Sequence, residues 1–210
     1  MRDAITNFIA GIAEPHFPNM FNPWSQSCDT EIDSEGWKDR RKRLLAHLSC
    51  QTPRILVIGE APGYQGCRYS GIAFTSERLL LEGAIPRIEV LEGRITHRPR
   101  PWSEPSATIV WKALYEFGVA EDTVMFNAVP WHPQGNKGPL SNRTPTQVEK
   151  QAGLEHLKLL LDIFHGIHVV ALGNTASDSL SSIDCAHEKL RHPANGGATE
   201  FREGLSRVVR

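Results

Sequence analysis

Three polar residues that could take part in one reaction each come at the end of a separate apolar run. Glu60 follows the run at 55–58, Asn127 lies in the run at 123–129, and His192 follows a further predicted strand. Parallel strands present their carboxyl ends at one edge of a sheet, so the three side chains can converge in one cleft. A carboxylate can orient a water, and an imidazole can donate a hydrogen bond to a leaving group. The pattern therefore predicts one catalytic cleft.

The turn that carries Glu60 has the composition of a ligand-binding loop. Its sequence, GEAPG at 59–63, contains two glycines and a proline, which allow a sharp turn and close approach of a ligand to the main chain. Phe74 follows after a polar loop, where its ring could return towards the turn as a stacking surface. The turn lacks the glycine spacing of a P-loop or a dinucleotide fingerprint, which argues against a nucleotide-binding α/β enzyme.

Segments in this order resemble motifs of the uracil-DNA glycosylase superfamily. They are similar above all to the branch whose first motif reads GEAPG, and they cover roughly residues 55–201. The similar segments are GEAPG at 59–63 with GIAF at 71–74, VMFNAV at 124–129 with NRTP at 142–145 and Glu149, and IHVVALGN at 167–174 with HPAN at 192–195.

The resemblance implies hydrolysis of the N-glycosidic bond of uracil, or another deaminated base, flipped out of DNA. It assigns catalysis to Glu60, which would act on the water and the sugar cation, and to His192, which would donate to the base O2. It assigns base reading to Asn127 and stacking to Phe74. The substrate would also meet the main chain of the turn, at Gly59, Ala61, Pro62 and Gly63. No lysine is positioned as a Schiff-base nucleophile, so we expect a monofunctional enzyme that leaves an abasic site.

Simpler roles for the same residues stay open at this point. Glu60 could cap the next helix, Asn127 could bond its neighbouring backbone, His192 could lie in a surface loop, and Phe74 could belong to the core. A non-catalytic nucleic-acid-binding protein that kept the fold is the alternative function. The near-neutral charge and the altered residues after the first motif motivate that alternative.

The first motif of the chain differs in several residues from that of the family that it resembles. Gly63 stands where stricter uracil enzymes carry an aromatic residue that excludes the thymine methyl, which predicts a roomier pocket. Tyr64, Gln65 and Gly66 stand where the GEAPG branch has acidic residues, so a secondary acid is expected to be missing. The loop at 135–143 contains no histidine of the kind by which a related branch traps DNA covalently.

The cysteine pattern predicts free thiols and neither a metal nor another cofactor. No two of the four cysteines form a CxxC pair. The resembled branch uses four cysteines for an iron–sulfur cluster, but Pro130-Trp131-His132 and Ala152-Gly153 occupy the approximate places of two of them. The cysteines are Cys28, Cys50, Cys67 and Cys185.

Length and composition indicate a single globular domain over 1–210, with 1–35 as an N-terminal arm. Hydrophobic residues make up 40% of the chain and charged residues 22%, as in ordinary globular proteins. No apolar run reaches the length of a membrane span and no signal-peptide pattern is present, so we expect a cytoplasmic monomer with DNA as its partner and no membrane contact.

Charge gives no global attraction to nucleic acid, because the net charge is −1. Basic residues are nevertheless grouped at 38–43, at 87–100 and at 189–210. We expect the first group to be a solvated surface balanced by acids. The second lies in a long irregular segment at 86–105 and is better placed for phosphate contacts.

Apolar runs alternate with amphipathic segments, which predicts an α/β fold. We expect a three-layer α/β/α sandwich with a central, mostly parallel sheet of about four strands. The predicted strands lie at 54–58, 123–129 and 167–172, with a fourth ending near 191; the predicted helices lie at 37–48, 76–83, 106–117, 146–164 and 174–180. The segment at 130–145 is rich in turn formers and predicts a loop.

Overall fold

The computed structural model describes all 210 residues. Eight helices and seven strands follow one another along the chain. They are α1 (Arg2–Ala13), β1 (Met20–Phe21), α2 (Gly36–Leu48), β2 (Ile55–Gly59), α3 (Cys67–Ser70), α4 (Glu77–Leu81), α5 (Pro105–Glu116), β3 (Thr123–Asn127), β4 (His132–Gly135), β5 (Gly138–Asn142), α6 (Gln147–Ile163), β6 (His168–Leu172), α7 (Asn174–Ser181), β7 (Glu188–Leu190) and α8 (Ala198–Val208). No helix is both long enough and apolar enough to cross a membrane.

Four parallel strands form the central sheet, in the order β3-β2-β6-β7. Successive side chains of β2 point to opposite faces, and both faces are buried. Leu56 and Ile58 enter one hydrophobic core, while Ile55 and Val57 enter the other. Burial on both faces explains why the strands read as continuous apolar runs. The predicted α/β sandwich with a parallel sheet of four strands is confirmed.

Helices cover both faces of this sheet. The first core contains side chains of α1, α2 and α6, and the second contains side chains of α4, α5 and α8. Residues of the first 35, among them Ile5, Phe8 and Trp24, lie inside the first core. Trp24 donates its indole N–H to the carbonyl of Pro130 at 3.3 Å. The N-terminal segment is therefore packed into the domain.

The sequence prediction lacked the strands β1, β4 and β5 and the helix α8. The segment at 130–145, predicted as a loop, contains the antiparallel hairpin β4–β5, and β1 adds a third strand. Gly138 at the hairpin turn has φ of 81°, which glycine adopts without strain. The side chain of Arg68 donates to the carbonyl of Pro139 and holds the hairpin against α3. Helix α8 follows the HPAN segment and packs Phe201 and Leu205 into the second core.

The long segment between α4 and α5 is ordered around one buried carboxylate. The side chain of Glu77 accepts hydrogen bonds from Arg94 and Thr96 and from the backbone N–H groups of Ile95 and Trp102. Burial opposes ionisation of Glu77, but these hydrogen bonds, led by Arg94, lower its pKa below the usual value. One side chain thus holds residues 94–96 and Trp102 of the segment together.

The basic group at 38–43 is divided between exposed lysines and packed arginines. Lys38 and Lys42 are exposed and pair with Glu35 and Asp39, as predicted, but the prediction of a solvated surface was wrong for the arginines. Arg40 is completely buried and pairs with Glu31, with 2.7 Å between Nη1 and Oε2. Arg41 donates to the carbonyl of Trp24 and Arg43 to that of Ser70. A guanidinium can bridge several carbonyls because its donors form a planar fork. These arginines hold the N-terminal segment and the helix after the first motif onto α2.

The second basic group is divided between structural and exposed positions. Arg87 donates to the carbonyls of His47 and Thr123, and Arg94 pairs with Glu77. Arg98 lies with its guanidinium carbon 3.5 Å from the centroid of the Trp102 ring.

Candidate active site

A cleft of about 830 Å³ opens at the carboxyl ends of the central strands. Six of the eight predicted site residues line it; they are Glu60, Ala61, Gly63, Phe74, Asn127 and His192. The other two, Gly59 and Pro62, are buried in the same turn. The strand ends therefore bring the predicted residues together around one opening.

The floor of the cleft is formed where β2 meets β3. Gly59 and Asn127 are paired in register at the ends of these strands. A Cβ atom on Gly59 would lie 2.7 Å from Oδ1 of Asn127 and 2.8 Å from the Phe74 ring. Only glycine therefore allows the amide, the ring and the main chain to meet at this point. The N–H of Val129 donates to the carbonyl of Glu60 at 3.0 Å and extends the pairing to the acid.

The Asn127 side chain faces the cleft and is 5% exposed. Its amide nitrogen donates to the thiol sulfur of Cys67 at 3.7 Å, and it makes no hydrogen bond to the backbone. Its carbonyl oxygen lies beside Gly59. The carboxamide thus offers an acceptor, and one further N–H, to a ligand in the cleft.

Phe74 is held in an unusual backbone conformation beside His192. Its φ is 50°, in the left-handed region that non-glycine residues rarely occupy. Its ring centroid lies 5.9 Å from that of His192, with the planes inclined at 42°. Strained residues of this kind cluster at binding and catalytic sites.

Glu60 is oriented by a hydroxyl from another element. Thr175, the second residue of α7, donates its Oγ1–H to Oε2 of Glu60 at 2.5 Å. The next helix, α3, begins after Gly66 and has no side-chain cap, so Glu60 does not cap it. Oε1 of Glu60 has no hydrogen-bond partner in the protein and can contact a water.

The environment of His192 determines which of its nitrogens carries the proton. The backbone N–H of Ala194 donates to Nδ1 of His192 at 3.1 Å, so the neutral ring carries its proton on Nε2. Burial and the neighbouring Arg191 lower the pKa of His192 below its ordinary value. At neutral pH the residue is therefore an uncharged Nε2–H donor.

His132 holds the turn at 59–63 through a hydrogen bond to its main chain. Its Nδ1 lies 2.8 Å from the carbonyl oxygen of Pro62 and donates to it. Burial, together with the charge of Arg68, lowers the pKa of His132 to about 4. His132 does not line the cleft, and its contact fixes the main chain that Pro62 contributes.

Thr175 and Glu104 are among the polar side chains of this cleft that the sequence did not predict as site residues. Thr175 follows strand β6. Polar residues at the carboxyl ends of parallel strands are candidates for a site, so this position could have been found from the sequence. Glu104 lies directly before Pro105 at the start of α5, where an acid is ordinarily read as a helix cap. Its carboxyl instead lies against Gly66, with Oε1 accepting from Ser106 at 2.6 Å.

The family model described as the uracil DNA glycosylase superfamily matches residues 46–205. The chain belongs to the uracil-DNA glycosylase superfamily. Members of this superfamily are DNA glycosylases, which are hydrolases. The resemblance seen in the motifs is thereby confirmed.

The fold of this uracil-DNA glycosylase superfamily member is similar to that of a solved structure, the crystal structure of wild-type SMUG2 from Pedobacter heparinus. The two chains superpose with a TM-score of 0.67 and share 15% sequence identity, over 99% of this chain and 94% of the other. No curated protein sequence gives a significant match to the chain.

The cysteines do not fit the iron–sulfur cluster of the GEAPG branch of the superfamily. Nowhere in the protein do three cysteine, histidine or acidic side chains converge as a metal site would require. Each thiol has a different neighbour: Cys28 contacts Thr30, Cys50 the carbonyl of Glu121, Cys67 the amide of Asn127, and Cys185 the carbonyl of Ala186. Cys67 is part of the cleft floor.

Exposed cations lie on the rim of the cleft beside His192. Lys189 and Arg191 line the cleft at the end of β7, are exposed, and form no ion pair. By contrast, Arg202 of the same region pairs with Glu116. The unpaired cations are free to meet an anion at the entrance.

Proposed function

We propose that this superfamily member is a monofunctional DNA glycosylase that removes uracil, or another deaminated base, flipped out of DNA. The observation that carries the proposal is the meeting of Glu60, Asn127 and His192 in one cleft, with Phe74 and Gly59 between them. The three groups match the three demands of the reaction, namely reading the base, stabilising it as it leaves, and adding water to the sugar.

Base reading is the role of Asn127. Its Oδ1 accepts from N3–H of the base, and its Nδ2 donates to O4, while the base stacks on the Phe74 ring. Such an amide discriminates against cytosine, which has no N3–H and carries an amine in place of O4. Because the side chain is buried, an unmatched base leaves polar groups unpaired at a cost of about 1–3 kcal/mol.

Departure of the base is assisted by His192. As the C1′–N1 bond breaks, negative charge develops on the base and positive charge on the sugar. The Nε2–H of the neutral imidazole is a preorganised donor for O2 of the leaving base. Its lowered pKa keeps the imidazole in this uncharged donor form.

Addition of water is the role of Glu60. Its Oε2 is occupied by the Thr175 hydroxyl, so Oε1 is the atom that accepts a hydrogen bond from the attacking water. The carboxylate also faces the cationic sugar and stabilises it. The product is an abasic site, and no lysine among the lining residues is set as a Schiff-base nucleophile, since the one lysine there, Lys189, is an exposed rim residue.

The test is release of the base from labelled oligonucleotides that contain uracil, hypoxanthine or xanthine, as single strands and as duplexes. Strand breaks should appear only after alkali, because a monofunctional enzyme leaves the abasic site intact. Glu60→Gln should abolish or strongly reduce the release, whereas Glu89→Gln, at an exposed position, should match the wild type.

Absence of base release from every substrate would refute the proposal. If DNA binding persisted in that case and Glu60→Gln left it unchanged, the protein would be a non-catalytic nucleic-acid-binding member of the fold.

A further inference from the structure

Glu104 is an acid of the cleft that the fold does not use. It is the N-cap residue of α5, yet its side chain makes no cap hydrogen bond. It forms no ion pair, and its one side-chain partner is the hydroxyl of Ser106 at 2.6 Å. Carboxyl groups removed from water are ordinarily paired with a cation or several donors, as Glu77 is. A half-buried acid without such partners, in the wall of a cleft, points to a ligand.

The position of Glu104 along the cleft follows from the sheet order. Asn127 ends β3 at one side of the sheet, and His192 follows β7 at the other. The Glu104 carboxyl lies against Gly66, next to Cys67, whose sulfur accepts from Asn127. Glu104 therefore lies near Asn127 in the cleft, through Gly66 and Cys67.

The contacts proposed for the base indicate which of its atoms would lie next to Glu104. The proposed contacts put O2 of uracil at His192 and the N3–H and O4 groups at Asn127. The next atom around the ring is C5, which carries no polar group. A deaminated purine in the same orientation presents N1–H and O6 to Asn127, and the next atom on that edge of the base is N7, which accepts a proton.

We propose that Glu104 is a further catalytic residue, which donates its proton to N7 of a departing hypoxanthine or xanthine. This inference rests on the proposed function and names deaminated purines as a substrate class of the same cleft. Its position also supplies, from the start of α5, an acid that residues 64–66 of the first motif lack.

The step balances without a further reactant. The C1′–N9 bond breaks and its electron pair goes to the purine, while the proton on the Glu104 carboxyl moves to N7, so the base leaves neutral. Water adds to C1′ and gives its proton to Glu60. Glu104 is left as a carboxylate, and exchange with solvent restores both groups. Burial raises the pKa of Glu104, which favours the protonated form that the donation requires.

The experiment compares wild type and Glu104→Gln in single turnover on uracil, hypoxanthine and 7-deazahypoxanthine in the same oligonucleotide. Loss of a general acid should slow hypoxanthine release by about 10²-fold or more, and leave uracil release nearly unchanged. With 7-deazahypoxanthine, which has no N7 lone pair, wild type and variant should be equally slow. Ser106→Ala removes the hydrogen bond that orients the carboxyl and should slow hypoxanthine release by a smaller factor.

A second measurement separates this role from a structural one. Glu104→Gln removes an acid that forms no ion pair from the cleft wall, so thermal unfolding should occur at the same temperature as in wild type or higher. A structural acid would lower it. A variant that lost stability, or that slowed uracil and hypoxanthine equally, would overturn the inference. So would a wild type that releases uracil and no purine, an outcome that leaves the proposed function standing.

Discussion

Thr175 should control the rate of base release through its hydrogen bond to Glu60. Thr175→Val removes the hydroxyl and keeps the shape of the side chain, so Oε2 of Glu60 loses the donor that lies 2.5 Å away. Hydrogen bonds to charged groups contribute about 1.5–3 kcal/mol. At 1.36 kcal/mol for each factor of ten, the chemical step should slow by about 10- to 100-fold.

The assay is single-turnover release of uracil at several enzyme concentrations, which separates the limiting rate from the half-saturating concentration. Thr175, at the second position of α7, acts on the acid of the chemical step. The limiting rate should therefore fall, whereas the half-saturating enzyme concentration should hardly change. Thr175→Ser retains the hydroxyl and is the matched control, so its rate should be close to that of wild type.

A double variant tests whether the effect passes through Glu60. In a Glu60→Gln background the carboxylate is already gone, and Thr175→Val should then cause little further loss. Independent, multiplying losses would refute the reasoning, as would a serine variant as slow as the valine variant. Thermal unfolding of each variant should match that of its parent.

Other predictions concern base choice, stability and iron. His192→Ala should slow release of every base by about 10²–10³-fold, whereas Asn127→Ala should change the order of preference among bases, as single-turnover rates on uracil and hypoxanthine will show. Burial, with smaller effects of nearby arginines, lowers the pKa of His47 to about 3 and that of His132 to about 4. The unfolded chain therefore takes up about two protons that the folded chain does not, and stability should fall by up to about 2.7 kcal/mol per pH unit between about pH 6 and pH 4, as measured by urea unfolding. Glu77→Gln leaves Arg94 without its buried charge partner and should lower the free energy of unfolding by about 3 kcal/mol, in the same urea assay at pH 7. The purified protein should be colourless and free of iron by elemental analysis, and a brown preparation with stoichiometric iron would contradict the interpretation of the cysteines.

The sheet and its catalytic edge could be predicted because their signals are local. Each central strand is an apolar run, and the groups at the strand ends are found by counting from that run. The hairpin β4–β5 could not be predicted in this way, because its strands alternate poorly and its pairing is held by Arg68 from another element. Helix α8 was missed because its apolar residues are few and become visible only against the second core.

The contacts of the site residues could not be predicted where the two contacting residues are distant in the chain. Glu60 and Thr175 are separated by 115 residues. Nothing near Glu104 in the sequence indicates Gly66, against which its carboxyl lies. The arginines at 38–43 were wrongly predicted as surface residues for the same reason. Their charge is visible in the sequence, but the backbone carbonyls that accept their hydrogen bonds are not.

The packing of helix α1 has a consequence for synthesis of the chain. The carbonyl of Ile12 accepts a hydrogen bond from the indole of Trp131, 119 residues later, and α1 packs against α6. From the end of α1 at Ala13 to the end of α6 at Ile163, the ribosome adds about 150 residues. At about 5–20 residues per second this takes on the order of ten seconds. During that interval α2 is already available to α1, but the part of α1 that packs against α6 has no partner within the nascent chain and is open to a chaperone or to another growing chain.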